Sequence, residues 1–294
     1  MADHSPSFLQ TLSSTLENLV RTAAPSVVSV LSQRAQSSGF SWGSGLIVAA
    51  ESALSDDGGI SIVARDGTTG EAQLVGRDPT TDIALLRVER TDLPYAFAPV
   101  ENPTTGALAL VVGAREGGPT ASLGAVSFVG PKWRSLRGGL IDARIELDAT
   151  LRRSSEGGLA LDANGRAFGM VVFGPRRRAL VIPMATINRV AELLAAKGRV
   201  ARGYLGLGLQ PVKLESGGMG AMAISVDPKG PGASAGVRQG DVIIAWDGEA
   251  IRGVHHLMRS LGPDRVGSSV NLSLLRAGEP LELKLTIGER PESQ

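Results

Sequence analysis

Cysteine is absent from the 294 residues. That excludes disulfides, thiolate nucleophiles and cysteine metal sites, and it leaves the redox compartment open. Histidine is almost as scarce: His4, His255 and His256 are the only three. The long stretch between them must therefore do without the side chain best matched to proton transfer near neutral pH. Charge of one sign is also lacking. Lys+Arg 30 against Asp+Glu 29 gives a net charge of +1, so no long-range field draws in nucleic acid or an anionic membrane. No nucleic-acid partner is expected. No apolar run approaches the ~18 residues of a membrane helix, so no span is expected either. Met1 to His4 lack a basic stretch, and Asp3 and Glu17 interrupt the first apolar residues. This argues against a secretory leader and makes the cytoplasm the expected location. No cofactor or metal is expected.

What is present is an ordinary globular composition, 43% hydrophobic and 20% charged, with room for one domain of roughly 150–200 residues and one of about 90. Ser5-Pro6 is a helix-start signal, and Leu9, Leu12, Leu16, Leu19 and Val20 recur at helical spacing until Pro25. This predicts an amphipathic helix over residues 1–23 whose apolar face docks on its own domain or on a neighbouring subunit. From residue 24 to 184 the pattern is short β runs broken by Gly, Pro, Asp and Asn: residues 26–31, 45–48, 60–63, 83–88, 108–112, 125–129 and 168–172. Such regular spacing predicts an all-β barrel or sandwich. The run Arg176-Arg177-Arg178 reads as a solvated hairpin tip rather than an anion site. Residues 185–202 hold a helix, Ala185 to Lys197 with Gly198 at its stop, and a short linker. A second domain is expected over 203–289, with a tail at 290–294.

Several motifs together carry a resemblance. Ala24-Pro25-Ser26-Val27-Val28 and Gly43-Ser44-Gly45-Leu46-Ile47-Val48 precede Leu74-Val75-Gly76-Arg77-Asp78-Pro79-Thr80-Thr81-Asp82-Ile83-Ala84-Leu85-Leu86. Then come Asp148-Ala149-Thr150-Leu151, Ser154-Ser155-Glu156-Gly157-Gly158-Leu159 and Leu161-Asp162-Ala163-Asn164-Gly165. In the second domain, Arg202-Gly203-Tyr204-Leu205-Gly206-Leu207 looks like the carboxylate-binding loop of a PDZ domain. The segment from Pro231 to Ile244 resembles the PDZ stretch in which Gly240-Asp241 turns the chain into a strand. Motifs and domain order resemble the HtrA/Deg-type trypsin-like serine proteases with a PDZ domain. The resemblance implies a mainly β chain: a trypsin-like double six-stranded β-barrel (the chymotrypsin fold) with a C-terminal PDZ domain after it.

It also implies where a catalytic triad would lie. The family's aspartate falls on Asp82, its histidine nearest to Ser52 (with Glu51 within one residue), and its nucleophilic serine on Glu156. A carboxylate cannot form an acyl-enzyme by the serine route, and Ser52 cannot shuttle its proton. The expectation is therefore a catalytically degenerate chain, a pseudoprotease and not an enzyme, with Ser52, Asp82 and Glu156 at non-functional triad positions. Glu156 is expected to plug the old oxyanion turn by accepting from the amides of Ser154 to Gly157. A carboxylate pair of Asp82 and Glu156, or an oxygen metal site adding Glu51, are the remaining readings.

The PDZ-like domain keeps what its chemistry needs. Tyr204, Leu205, Gly206, Leu207, Gly208 and Leu209 would form the loop and edge for a peptide C-terminus. Leu257, Met258 and Leu261 would face them from a helix at His255 to Leu261, although some of these apolar groups read equally as domain core. The expected role is a non-cleaving peptide-binding or scaffold subunit. By resemblance it is a homo-oligomer, a trimer, or a subunit of a larger complex. The competing expectations are a divergent serine endopeptidase completed by groups from a partner chain, and a purely structural subunit.

Overall fold

A computed structural model describes residues 7–33, 35–55, 59–90, 92–94, 101–215 and 217–291. The chain divides into two compact units, one running to Trp133 and from Ile141 to Arg199, the other comprising Arg134–Leu140 and the chain from Val200 onward.

The first unit opens with helix α1, Phe8–Ala23, capped reciprocally by Ser7 and Gln10. The start signal Ser5-Pro6 lies outside the described residues. At the other end Pro25 ends the helix, and Ala24–Ser26 forms a single 3-10 turn. Only Ala23 of α1 is buried, while Phe8 and Leu9 are 78% and 72% exposed.

Twelve strands then form two closed six-stranded barrels. The first holds β1 (Val27–Ser32), β2 (Ala35–Gly43), β3 (Leu46–Ala50), β4 (Ile60–Val63), β5 (Thr69–Asp78) and β6 (Ile83–Val88), in the order β1-β2-β3-β6-β5-β4. The second holds β7 (Leu108–Arg115), β8 (Gly118–Gly130), β9 (Arg144–Asp148), β10 (Leu159–Leu161), β11 (Ala167–Phe173) and β12 (Ala179–Pro183), in the order β9-β12-β11-β10-β7-β8. Closure leaves neither barrel an edge. Inward apolar side chains fill them: Val28, Val30, Ile47, Leu86 in one and Val111, Ile145, Phe168, Val181 in the other. The trypsin-like double barrel expected from the resemblance is therefore the observed fold. Helix α2, Met184–Lys197, comes directly after Pro183 and buries Ile187, Val190, Ala191 and Leu194.

The second unit is a six-stranded sheet. Its path is β13 (Leu207–Lys213), β14 (Met219–Val226), β15 (Val242–Trp246), β16 (Ser269–Arg276) and β17 (Glu279–Thr286), with Glu249–Ala250 paired to β15. The Asp247-Gly248 turn has φ 48° and 81°, the geometry of a tight hairpin. Helix α3 is Val254–Arg259, a shorter groove helix than expected. At the end of the sheet path, β13 has β14 as its one neighbour among the described residues.

Candidate functional site

The turn between β5 and β6 fixes Asp82. Asp78 accepts from the Thr80 amide at 3.0 Å and from the hydroxyls of Thr80 and Thr81 at 2.6 and 2.7 Å. This Asx-type turn delivers Asp82 with φ 61°, a left-handed conformation that Asp tolerates better than most residues. One Asp82 oxygen accepts the Ser52 amide at 2.7 Å and the other the Ser52 hydroxyl at 3.1 Å. The Asp82 carbonyl accepts the Glu51 amide at 3.2 Å. Ser52 sits in the 3-10 turn Glu51–Ala53 at the end of β3. The structure thus brings Ser52 and Asp82 into direct contact.

Glu156 caps the 3-10 turn Arg153–Ser155 and is 8% exposed. Burial pushes its carboxyl above the usual range, and the charge of Asp82 adds to the rise. A hydrogen bond from the Phe173 backbone and the charges of Arg153 and Arg177 oppose it. The Glu156 carbonyl accepts the Ser38 amide at 2.7 Å. At Gly157 (φ 83°) a Cβ would lie 2.2 Å from the Ser38 carbonyl oxygen, so the approach of this turn to β2 requires glycine.

The structure corrects the expected plug. The amides of Ser155, Glu156 and Gly157 donate to the carbonyls of Arg152, Arg153 and Val171 at 2.9, 3.1 and 2.8 Å. They are satisfied by backbone carbonyls and do not converge on the Glu156 carboxylate. For the same reason the Glu156 amide is not presented to a developing oxyanion. Glu51 is drawn aside into an ion pair with Arg77 at 3.6 Å. Among the described residues no group of three or more His, Asp or Glu side chains could hold a metal ion.

Sequence reasoning passed over Ser38. Its hydroxyl donates to the Ser154 carbonyl at 2.6 Å and accepts the Ala114 amide at 2.8 Å, tying β2 to β7 and to the Glu156 turn. A fully buried serine amid Ser, Gly and Gln gives little signal in a strand. The arginine run is not simply solvated: Arg177 stacks over the Phe173 ring at 4.7 Å, and Arg178 pairs with Glu146 at 3.4 Å.

In the second unit, Tyr204 is part-buried and its hydroxyl donates to Asp227 at 3.1 Å. The Leu205 and Gly206 carbonyls accept the amides of Gly232 and Asp227 at 2.7 and 2.8 Å. Gly206 has φ 70°, and a Cβ on it would meet the Gly230 Cα at 2.8 Å. The expected pocket lining narrows. Leu205, Leu257 and Leu261 are enclosed in the unit's core, because their side chains pack with Trp246, Val270 and Leu285. Leu207 and Leu209 pack on that core while keeping exposed surface, Gly208 lies between them on β13, and Met258 is 46% exposed. His255 is exposed on α3, and His256 accepts the Arg252 amide at 3.4 Å.

Residues 37–170 match the trypsin-like peptidase domain family, and residues 203–287 match the PDZ domain family. A probable periplasmic serine endoprotease, DegP-like, from Bartonella henselae is 35% identical over 265 residues, covering 85% of this chain and 52% of that protein. A protein of the same description from Rhizobium meliloti is 32% identical over 278 residues, 89% of this chain and 55% of its own length. The chain thus spans about half the length of the curated relatives it matches. Among solved structures, the serine endoprotease from Yersinia pestis superposes with a TM-score of 0.70 at 29% identity, covering 94% of this chain and 98% of that one. The HtrA-type protease AlgW with tripeptide gives 0.67 at 26%, covering 95% and 98%.

Two expectations are corrected by these relatives. The chain was expected not to be an enzyme, yet the relatives are named serine endoproteases. The residues at 52 and 156 bear on one route of attack, through a serine and an imidazole at those two places. Peptide hydrolysis as such is a wider class. The cytoplasmic expectation rested on the first few residues alone, and the relatives named periplasmic point to the periplasm instead.

Proposed function

This chain belongs to the HtrA/DegP type, a trypsin-like peptidase domain joined to a PDZ domain, and we propose that it binds extended polypeptide, taking a C-terminal tail along β13. The observation that carries this is the position of β13 at the end of the sheet path, with Leu207 and Leu209 half-buried along it. An added strand would take its backbone hydrogen bonds from this edge and its side-chain selection from the apolar residues there. The test is fluorescence anisotropy with peptides ending in apolar residues, each made with a free and an amidated C-terminus. Binding of the free acid that is lost on amidation and lost in Leu207→Glu supports the reading. Equal binding of the two forms removes it.

A second reading, favoured by the names of the relatives, is peptide-bond cleavage completed by groups from another chain. Glu156 has no hydroxyl to acylate and Ser52 no imidazole, so the nucleophile or base would be borrowed, while Asp82 remains in place to orient it. Casein cleavage by the purified chain, abolished by Asp82→Ala, supports this reading. Assembly as a homo-oligomer, a trimer by resemblance, or within a larger complex in the periplasm belongs to the same proposal. Light scattering after size exclusion gives the stoichiometry. A purely structural subunit would keep its partners when Leu207→Glu empties the groove.

A further inference from the structure

A cleft of about 450 Å3 lies between the β7–β8 hairpin and the segment that leads into Glu156. Two guanidinium groups line it, Arg115 and Arg152, with the hydroxyl-bearing residues Thr120, Ser122, Thr150 and Ser154, and no carboxylate is among the lining residues. Its two walls are joined: the Ser122 hydroxyl donates to the Thr150 carbonyl at 2.9 Å, and the hydroxyls of Thr120 and Ser155 lie 3.1 Å apart. Among the described residues neither guanidinium has an ion-pair or side-chain hydrogen-bond partner. The acidic residues closest in sequence are Glu116 and Asp148, both exposed, and Glu156, buried in the adjoining turn; none of the three is in the lining.

Arginine presents a fixed fork of donors matched to carboxylate and phosphoryl oxygens, and it keeps its charge at every working pH. Two such forks in one concavity, with hydroxyls able to complete the shell, select a negatively charged group and reject a cation. We propose that this cleft is an oxyanion-binding site, its ligand a carboxylate or phosphoryl group borne either on a polypeptide side chain or on a free inorganic anion. The site lies in the peptidase unit and stands independently of the tail groove on β13. Its occupant rests on the same short segment that carries Arg153–Ser155 and ends at Glu156, so binding is felt at the turn where Glu156 is held.

The experiment uses the full chain and two probes. One is a pair of fluorescein-labelled peptides differing by a single Glu-to-Gln exchange, and the other is inorganic phosphate, titrated by calorimetry. The site predicts binding that weakens as NaCl is raised. It also predicts a loss of about tenfold or more in the double variant Arg115→Gln with Arg152→Gln, an intermediate loss in the paired Lys variants, and no change in Arg87→Gln, an exposed arginine outside the cleft. Binding of the Glu peptide over the Gln peptide assigns the anion to polypeptide; phosphate binding without peptide preference assigns it to a free anion. The idea is overturned if neither probe binds, or if binding persists undiminished in a double variant with native circular dichroism. Should the double variant unfold, Arg152→Gln alone, in an exposed segment, serves with hydrogen-exchange mapping. Ligand-induced protection must then fall on residues 115–122 and 150–155, and protection elsewhere rejects the site.

Discussion

The Ser52 hydroxyl donates to one oxygen of Asp82 at 3.1 Å while the Ser52 amide donates to the other at 2.7 Å, so the acid at the family's aspartate position is held by a serine. Asp82 also occupies a left-handed backbone conformation. Asp82→Ala loses both acceptors and the tolerance of Asp for that conformation. It is expected to cost about 1–3 kcal/mol in urea unfolding. Asp82→Asn keeps an acceptor and the conformational tolerance, and it costs less. Ser52→Ala, at an exposed hydroxyl, costs about 0.5 kcal/mol.

Glu156 gives the peptidase unit a pH dependence of definite sign. Burial first, then the charge of Asp82, raises its folded-state pKa above that of the unfolded chain. A carboxyl raised in this way binds its proton more tightly in the native state. Its contribution is present in full below the unfolded pKa and is lost as pH rises through the folded one. Glu156→Gln removes the titration. Urea midpoints of variant and native chain are expected to diverge in the variant's favour on going from pH at or below the unfolded carboxyl pKa up to neutral buffer. A constant difference across that range contradicts the assignment.

Much of the barrel was legible because valine, isoleucine and leucine runs bounded by glycine and aspartate specify strands whatever their partners. The run Ile83 to Val88 has in the structure the bounds its sequence implies. β2 was not legible. Its Ala-Gln-Ser-Ser-Gly-Phe-Ser-Trp-Gly sequence has low strand propensity, and it is a strand because β1 and β3 flank it and Ser37, Ser38 and Ser41 are buried within it. At the site, Asp82 was legible through the resemblance of its motif to the family's. The fate of the amides at 155–157 could not, because whether an N–H meets a carboxylate or a carbonyl depends on backbone rotations no motif encodes.

The proposed tail groove would depend on backbone approach at Gly206 as much as on leucines. With φ 70° and the Gly230 Cα at 2.8 Å from a would-be Cβ, Gly206→Ala is expected to cost about 1–3 kcal/mol and to weaken tail peptides with it. Leu207→Glu is expected to cost about 1 kcal/mol, since Leu207 is half-buried against the core, and to lower peptide affinity by more than that. Anisotropy and urea unfolding on the two variants separate these effects.

Asp241 anchors the second unit from within. It is 1% exposed and accepts from Arg276 Nε at 2.9 Å and Nη2 at 2.8 Å, and from the Arg238 amide at 2.8 Å. The Arg276 hydrogen bonds hold its carboxyl below the usual carboxylate range. Its stabilisation is therefore present above the unfolded pKa and is lost as pH falls through the folded one. Asp241→Asn leaves Arg276 without its anion and is expected to cost about 2–4 kcal/mol. Acid unfolding monitored by circular dichroism should then begin at a higher pH than in the native chain.

Rebuilding the missing pair tests how far the cleft still supports serine chemistry. Ser52→His places an imidazole on the residue that already touches Asp82, which would orient it as a base, and Glu156→Ser restores a hydroxyl at the family's nucleophile position. Proximity alone predicts casein cleavage by the double variant above the native rate. The backbone sets a ceiling, since the amide at 156 donates to the Arg153 carbonyl at 3.1 Å and one oxyanion donor is missing until that turn rearranges. Losing one such donor costs about 10²–10³ in kcat. The double variant is expected to fall short of a trypsin-like relative by about that factor, and Asp82→Asn added to it should abolish the gain. Activity equal to a relative's would mean that the turn reorganises on substrate binding. No gain at all, in a variant that folds, would mean that the imidazole at 52 does not reach the hydroxyl.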